Sequence, residues 1–157
     1  MDGLDPRQSP RKVVGVDIDI RSHNRKALDQ HPLRFKMELI EGSSVDPEII
    51  QQVRSHAKGV DQIMLALDSN HAHDHVLAEL NAYADLVSVG GYCIVFDTVI
   101  EDLPAGCFPD RPWDVGDNPK TAVHEWLKTH PEFVIDKDID SKLLISVAPE
   151  GYLRRIA

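Results

Sequence analysis

The chain has 157 residues, of which 42% are hydrophobic and 27% charged, proportions that suit one folded domain with its own core. The net charge of −9 argues against nucleic-acid binding, because phosphate contacts need clustered Lys and Arg. No apolar run reaches the roughly 20 residues that span a bilayer, and MDGLDPRQSP lacks a signal-peptide core, so we expect no transmembrane segment and a cytoplasmic location. Cys93 and Cys107 are too few for a disulfide framework or a cysteine metal site.

Strand-like and helix-like segments alternate along the chain. In chain order, the sequence predicts a strand at 13–18, a helix at 22–31, a strand at 35–40, a helix at 46–57, a strand at 63–67, a helix at 75–87 and a strand at 92–96. A long loop at 103–119, a helix at 121–129 and strands at 133–135 and 143–147 follow. Apolar strands alternating with helices indicate a parallel α/β sheet. The short connection between the last two strands favours an antiparallel hairpin.

Two polar positions follow the first two predicted strands. Asp17 ends the first, and an acid at such a place can bind the two hydroxyls of a ribose. Ser43 and Ser44 follow the second, where hydroxyl and backbone N–H groups could contact an adenine edge. The alternatives are a solvated acid that caps the next turn and an ordinary turn.

The segment LALDSNHAHDHVLAEL, residues 65–80, concentrates ionisable groups between a strand and a helix. Asp68 closes the apolar strand, and ligands of open parallel sheets bind beyond the carboxyl ends of strands. Asp97 closes the next predicted strand in the same way. If those strands are neighbours, the two carboxylates can share a hard cation such as Mg²⁺. The alternative is that both acids are merely solvated.

The histidines do not form a recognised zinc motif. The run from His71 to His75 is one residue shorter than the H-x-H-x-D-H of metallo-β-lactamase-like hydrolases, and the ligand set depends on which face each residue presents. His124 and Glu125 lack the second histidine that a zincin helix needs. His73 could simply be solvated, and His75 could cap the following helix.

Together these segments resemble the cephalosporin hydroxylase and rhamnosyl O-methyltransferase family of S-adenosylmethionine-dependent proteins. The resemblance extends from Val13 to Arg155 and is carried by VVGVDIDIRSHNRKAL, LIEGSSVD, LALDSNHAHDHVLAELNAYADLVSVGGYCIVFDTVIED, RPWDVGDNP and LLISVAPEGYLRR. It implies an α/β fold with the Rossmann-like sheet of class I methyltransferases, mostly parallel with an antiparallel C-terminal hairpin. It also implies that Asp17 holds the cofactor ribose and that Ser43 and Ser44 border the adenine.

The resemblance further implies a Mg²⁺ site and a catalytic base. The metal carboxylates fall on Asp68 and Asp97, with Asn70 as a third candidate ligand. In related catechol-type methyltransferases a base lies three residues beyond the first metal aspartate, the position that His71 holds here. Phe96 stands where related members can carry another acid, so the ligand count departs from the family pattern.

The beginning of the chain also departs from the family pattern. The glycine-rich loop after the first strand normally cradles the methionine part of the cofactor, and MDGLDPRQSP supplies neither that strand nor that loop. We therefore expect a disordered segment at 1–12, a partial methyltransferase-like domain at 13–157 and weak or no binding of S-adenosylmethionine. Unpaired sheet edges could also pair between copies and form a homo-oligomer.

The sequence thus predicts a Mg²⁺-assisted O-methyltransferase that acts on a hydroxyl of a sugar, lipid-linked or secondary-metabolite acceptor. One alternative is a non-catalytic remnant of the same fold that binds a partner. Another is an iron-dependent hydroxylase, which needs two histidines and one carboxylate, and His71, His73 and Asp68 are the local candidates.

Overall fold

The computed structural model describes residues 9–157, so most of the segment expected to be disordered, 1–12, lies outside the described residues. The chain divides into two units, one ending at His56 and the other running from Ala57 to Ala157. Each unit has its own sheet, with two strands in the first and four in the second.

The first unit contains a parallel pair of strands and two helices. Its elements are β1 (Val13–Asp17), α1 (Ser22–Asp29), β2 (Met37–Glu41) and α2 (Pro47–Ala57). The register places Asp17 opposite Glu41, so both strands end at the same edge. The Asp46 carboxylate accepts a hydrogen bond from the N–H of Glu48 at 2.9 Å, which explains why α2 begins here. Phe35 belongs to a 3₁₀ turn, so β2 begins two residues later than predicted.

The second unit is built on a four-stranded mixed sheet. Its strands are β3 (Leu65–Leu67), β4 (Tyr92–Val95), β5 (Phe133–Ile135) and β6 (Tyr152–Arg155), in the spatial order β3-β4-β6-β5. β3 and β4 are parallel, whereas β6 is antiparallel to both of its neighbours. Three strands therefore share one direction and β6 opposes them, which confirms the predicted α/β fold with antiparallel pairing near the C-terminus.

Three helices complete the second unit: α3 (His73–Tyr83), α4 (Pro119–Trp126) and α5 (Lys137–Leu143). α4 begins with a capping box, because the Asn118 side chain accepts from the Thr121 N–H and the Thr121 hydroxyl accepts from the Asn118 N–H. The buried apolar cluster comes from β3, β4, α3 and the turn after it, α4 and the last two strands. It consists of Leu67, Val76, Leu80, Ala84, Val87, Cys93, Val95, Ala122, Val123, Trp126, Phe133 and Leu153. Across the described ranges, no helix has both the length and the apolar character needed to cross a membrane.

The predicted strand at 143–147 is wrong, and so is the short hairpin that it implied. The segment after β5 instead forms α5, capped by the Asp136 carboxylate, which accepts from the N–H of Asp138 at 3.1 Å. Leu144 follows with a φ of 64°, and it and Ile145 are 86% and 92% exposed. The antiparallel partner of β4 and β5 is β6, which buries Leu153 completely.

Candidate active site

The turn between β3 and α3 carries the first two site residues. β3 ends at Leu67, opposite Val95 of β4, and the Phe96 N–H donates to the Leu67 carbonyl oxygen at 2.9 Å. This pairing continues the sheet to the ends of both strands. Asp68 and Asp97, which follow those ends, therefore project from the same edge of the sheet, as the sequence predicted.

Three potential ligand atoms converge at this edge. One atom from each of Asp68, His71 and Asp97 lies within 4.8 Å of the others, and this is the one such group of His, Cys, Asp and Glu found among the described residues. The His71 Nε2 is 3.1 Å from the Asp97 Oδ2 and 3.7 Å from the Asp68 Oδ1. The two carboxylates offer the oxygen ligands that suit a divalent cation such as Mg²⁺ or Mn²⁺, and the imidazole beside them is a candidate base.

Asp97 adopts a left-handed backbone conformation, with φ 55° and ψ 22°. Non-glycine residues rarely occupy this region, and residues that do so cluster at functional sites. The conformation ends β4 abruptly and starts the 3₁₀ helix Thr98–Asp102. It therefore places the Asp97 carboxylate beside the imidazole of His71.

The other two histidines of the run have different partners. The His73 Nδ1 lies 2.8 Å from the Thr121 hydroxyl, and its Nε2 lies 3.4 Å from a carboxylate oxygen of Glu125. The His75 Nε2 lies 3.6 Å from a carboxylate oxygen of Glu79. His73 is therefore engaged with α4 rather than with the convergent group, so the two-histidine iron site considered from the sequence does not form.

A cavity of about 210 Å³ adjoins the convergent group. Trp113 contributes one wall, and its ring centroid is 4.8 Å from that of His71, with the two planes at 56°. The Arg111 guanidinium lies over the Trp113 ring, 5.3 Å from its centroid. The full lining is His71, Asp97, Val99, Ile100, Phe108, Arg111 and Trp113. An aromatic wall beside an ionisable group is typical of sites that bind small molecules.

The loop that carries Trp113 is held in place by acidic residues within it and in the preceding 3₁₀ helix. The Asp114 carboxylate accepts from the Gly106 N–H at 2.8 Å, and Glu101 accepts from the Gly116 N–H at 2.8 Å. The Asp117 carboxylate accepts from the N–H of His73 at 2.8 Å, which ties the loop to the start of α3. The sequence predicts this loop, but its local pattern indicates no role for Trp113, because the contact with His71 is long-range.

Asn70 lies in the same turn as Asp68 and His71. Its side-chain oxygen accepts a hydrogen bond from the N–H of Ala72 at 2.9 Å, a local bond that shapes the entry into α3. One of the oxygen's lone pairs is thereby used within the turn. A role for Asn70 as a metal ligand stays a prediction.

The residues predicted to bind the cofactor lie in the first unit. The Asp17 carboxylate accepts from the N–H of Asp19 at 3.0 Å, and the Asp17 carbonyl accepts from the Gly42 N–H at 2.8 Å. Asp17 also lines a cleft of about 400 Å³ between β1 and α1. Ser43 and Ser44 follow Gly42, in the turn after β2. The parallel pairing thus brings the two predicted binding positions to one edge of the first sheet.

Comparisons with known proteins point to one family. The family model for rhamnosyl O-methyltransferase/CmcI matches residues 2–156. Rhamnosyl O-methyltransferase of Mycobacterium tuberculosis strain H37Rv is 33% identical over 149 residues, which cover 93% of this chain and 56% of that protein. The Mycobacterium leprae protein of the same name is 30% identical over 148 residues, which cover 93% of this chain and 60% of that protein. The chain therefore spans little more than half the length of these relatives.

The structure is also similar to that of MycE, a methyltransferase of mycinamycin biosynthesis. A crystal form with Mg and SAH has a TM-score of 0.52 and 16% identity, covering 98% of this chain and 43% of MycE. A complex of MycE with Mg, SAH and mycinamycin VI has a TM-score of 0.50 and 18% identity. The match covers 74% of this chain and 29% of MycE. At these identities the likeness shows a shared fold, whereas the sequence match shows the family. The chain belongs to the rhamnosyl O-methyltransferase/CmcI family.

Proposed function

We propose that this chain contributes to a Mg²⁺-assisted, S-adenosylmethionine-dependent O-methyltransferase. The observation that carries the proposal is the convergence of Asp68, His71 and Asp97 within 4.8 Å, at the positions where the family resemblance implies a metal and a base. Mycobacterial relatives bear the name rhamnosyl O-methyltransferase, and MycE was crystallised with Mg and SAH. These relatives support the reaction class, and the donor set of this chain supports the cation.

Asp68 and Asp97 would hold the cation, with Asn70 as a further candidate ligand. When bound, S-adenosylmethionine supplies the methyl group, and the divalent cation lowers the pKa of a coordinated hydroxyl. The imidazole of His71 would remove the hydroxyl proton at Nε2, the nitrogen that faces both carboxylates. The neighbouring Asp97 carboxylate would then stabilise the protonated imidazole.

The first unit would contribute to cofactor binding. A carboxylate at a strand end matches the two adjacent hydroxyls of a ribose, and Asp17 occupies such an end beside a cleft. Ser43 and Ser44 would border the adenine from the turn after β2. The described residues of the first unit therefore offer donors and acceptors for two parts of the cofactor, the ribose and the adenine.

The cavity beside His71 would receive the acceptor. Trp113 offers a flat apolar surface next to the proposed base, and Arg111 offers hydrogen-bond donors at the same wall. This combination suits a ring that bears hydroxyl groups on its edge, such as a sugar of a glycolipid or of a secondary metabolite. The rhamnosyl relatives and the mycinamycin complex of MycE agree with such an acceptor.

Methyl transfer from labelled S-adenosylmethionine to a panel of rhamnosides tests the proposal. We would use the cofactor at millimolar concentration, so that its affinity does not limit transfer. His71→Ala should lower turnover about 100-fold or more through loss of the base. His73→Ala is the matched control, since His73 belongs to the same run but is engaged with α4. Transfer that is absent in wild type, or that depends more on His73 than on His71, would contradict the proposal.

A further inference from the structure

Glu79 is a buried carboxylate that the packing of the core does not explain. It lies in α3 with 2% of its surface exposed. Other buried polar side chains among the described residues have evident structural partners. Lys120 pairs with the Asp102 carboxylate at 2.7 Å, the Thr98 hydroxyl donates to a backbone carbonyl, and Asn118 caps α4. Buried polar groups without full hydrogen bonding are uncommon and usually have a functional reason.

Within residues 9–157, the carboxylate of Glu79 has a hydrogen-bond donor at only one of its two oxygens. The Ser69 hydroxyl donates to its Oε1 at 2.7 Å, and the His75 Nε2 lies 3.6 Å from the same atom. Its Oε2 is buried without a hydrogen-bond partner among the described residues. Its negative charge adds to the effect of burial, and together they raise the pKa of Tyr83 to about 12. A carboxylate in this position lowers the stability of the core, so its presence needs another explanation.

The bond to Ser69 connects Glu79 with the site. Ser69 directly follows Asp68 and comes two residues before His71, so the bond fixes the middle of the turn that carries both residues. The Asp68 side chain is 63% exposed, and few packing contacts can hold it. Its direction therefore depends on the backbone of the turn. Residues behind the ligands orient them in many metal sites.

We propose that Glu79 is a positioning residue, which accepts the Ser69 hydroxyl and thereby aims Asp68 and His71 at Asp97. The inference rests on the cation site proposed above. It explains why an acid occupies a core position of α3, because a shorter or apolar side chain would leave Ser69 without its acceptor. It also predicts a trade-off, since removing the buried charge should stabilise the fold while loosening the site.

Three variants of the 157-residue chain test this role: Glu79→Met, Glu79→Gln and Ser69→Ala. We would measure Mn²⁺ affinity by calorimetry, amide exchange at 69–72 and the melting temperature. Glu79→Met and Ser69→Ala should each weaken Mn²⁺ binding about 10-fold and speed exchange in the turn. Combining them should add little, because both break the same bond. Glu79→Gln keeps an acceptor oxygen and should bind Mn²⁺ almost as wild type does.

The melting temperature shows whether weaker Mn²⁺ binding comes from a misplaced turn or from a destabilised fold. Glu79→Met should melt at or above the wild-type temperature, whereas Val76→Ala, a cavity control on the same helix, should melt lower and keep its Mn²⁺ affinity. Unchanged affinity and exchange in Glu79→Met, with wild type binding Mn²⁺, would overturn the inference and leave the cation site standing. Absence of binding in wild type would instead overturn the cation site, and the inference that rests on it.

Discussion

Asp97 combines a left-handed backbone with a carboxylate in the convergent group. Glycine adopts this conformation without steric cost, so Asp97→Gly should stabilise the fold, or leave it unchanged, while abolishing Mn²⁺ binding. Asp97→Ala removes the same carboxylate but keeps the unfavourable φ. We expect thermal melts to show Asp97→Gly more stable than Asp97→Ala by about 1 kcal/mol. Equal stability of the two would show that the backbone there is not strained.

The two cysteines should differ sharply in reactivity. Burial, with a smaller contribution from the Glu79 charge, raises the pKa of Cys93 to about 12, whereas Cys107 is exposed. Since the thiolate is the nucleophile, Cys93 remains protonated and unreactive at about pH 8. Iodoacetamide should therefore label Cys107 alone in the native protein and both residues in denaturant, as mass spectrometry would show. Rapid native labelling of Cys93 would contradict the described core.

At the scale of elements, Gly151 sets how closely β6 approaches β4. The Val95 N–H donates to the Gly151 carbonyl at 2.8 Å, and a Cβ at Gly151 would overlap the carbonyl oxygen of Val95. Gly151→Ala should therefore destabilise the protein by about 3 kcal/mol, measured by denaturant unfolding. Gly15→Ala is the control, because its nearest neighbour, a methyl group of Leu39, would lie at an ordinary 3.6 Å. Equal stabilities of the two variants would refute this packing.

Local patterns predicted most elements and part of the site. The turn after β3 could be recognised because Asp68 and His71 lie in one continuous segment, between an apolar strand and a helix. The last strand could not be recognised in this way. The apolar run at 143–147 fits a strand pattern better than Tyr152–Arg155, whose two arginines are more typical of an exposed segment. Tyr152–Arg155 is a strand because it pairs with β4 and β5, and this pairing depends on residues distant in sequence.

The remaining site features also depend on long-range contacts. Trp113 reaches His71 across some forty residues of sequence, and no local pattern around it indicates an aromatic wall. Glu79 follows the helical period of α3 but breaks its apolar pattern. A polar residue at a predicted core position is the signal that could have identified it. The ribose and adenine roles of Asp17, Ser43 and Ser44 stay predictions.

At the scale of the whole molecule, the two units differ in the size of their cores. Ile40 and Ile49 are the buried apolar side chains described in the first unit, whereas the second buries a cluster of twelve. Amide protection follows local burial and contact density. Hydrogen exchange should therefore be slower in β4, β6 and α3 than in β1 and β2. Equal protection of the two units would contradict this difference.

Mn²⁺ titration of four proteins tests the central claim, that Asp68 and Asp97 hold a divalent cation beside His71. Calorimetry on wild type, Asp68→Asn, Asp97→Asn and Asp74→Asn compares each site acid with a matched acid in the first turn of α3. The asparagine replacements keep shape and remove charge. We predict one bound Mn²⁺ in wild type and in Asp74→Asn, and loss of binding in both site variants. Retained binding in both Asp68→Asn and Asp97→Asn would contradict the account.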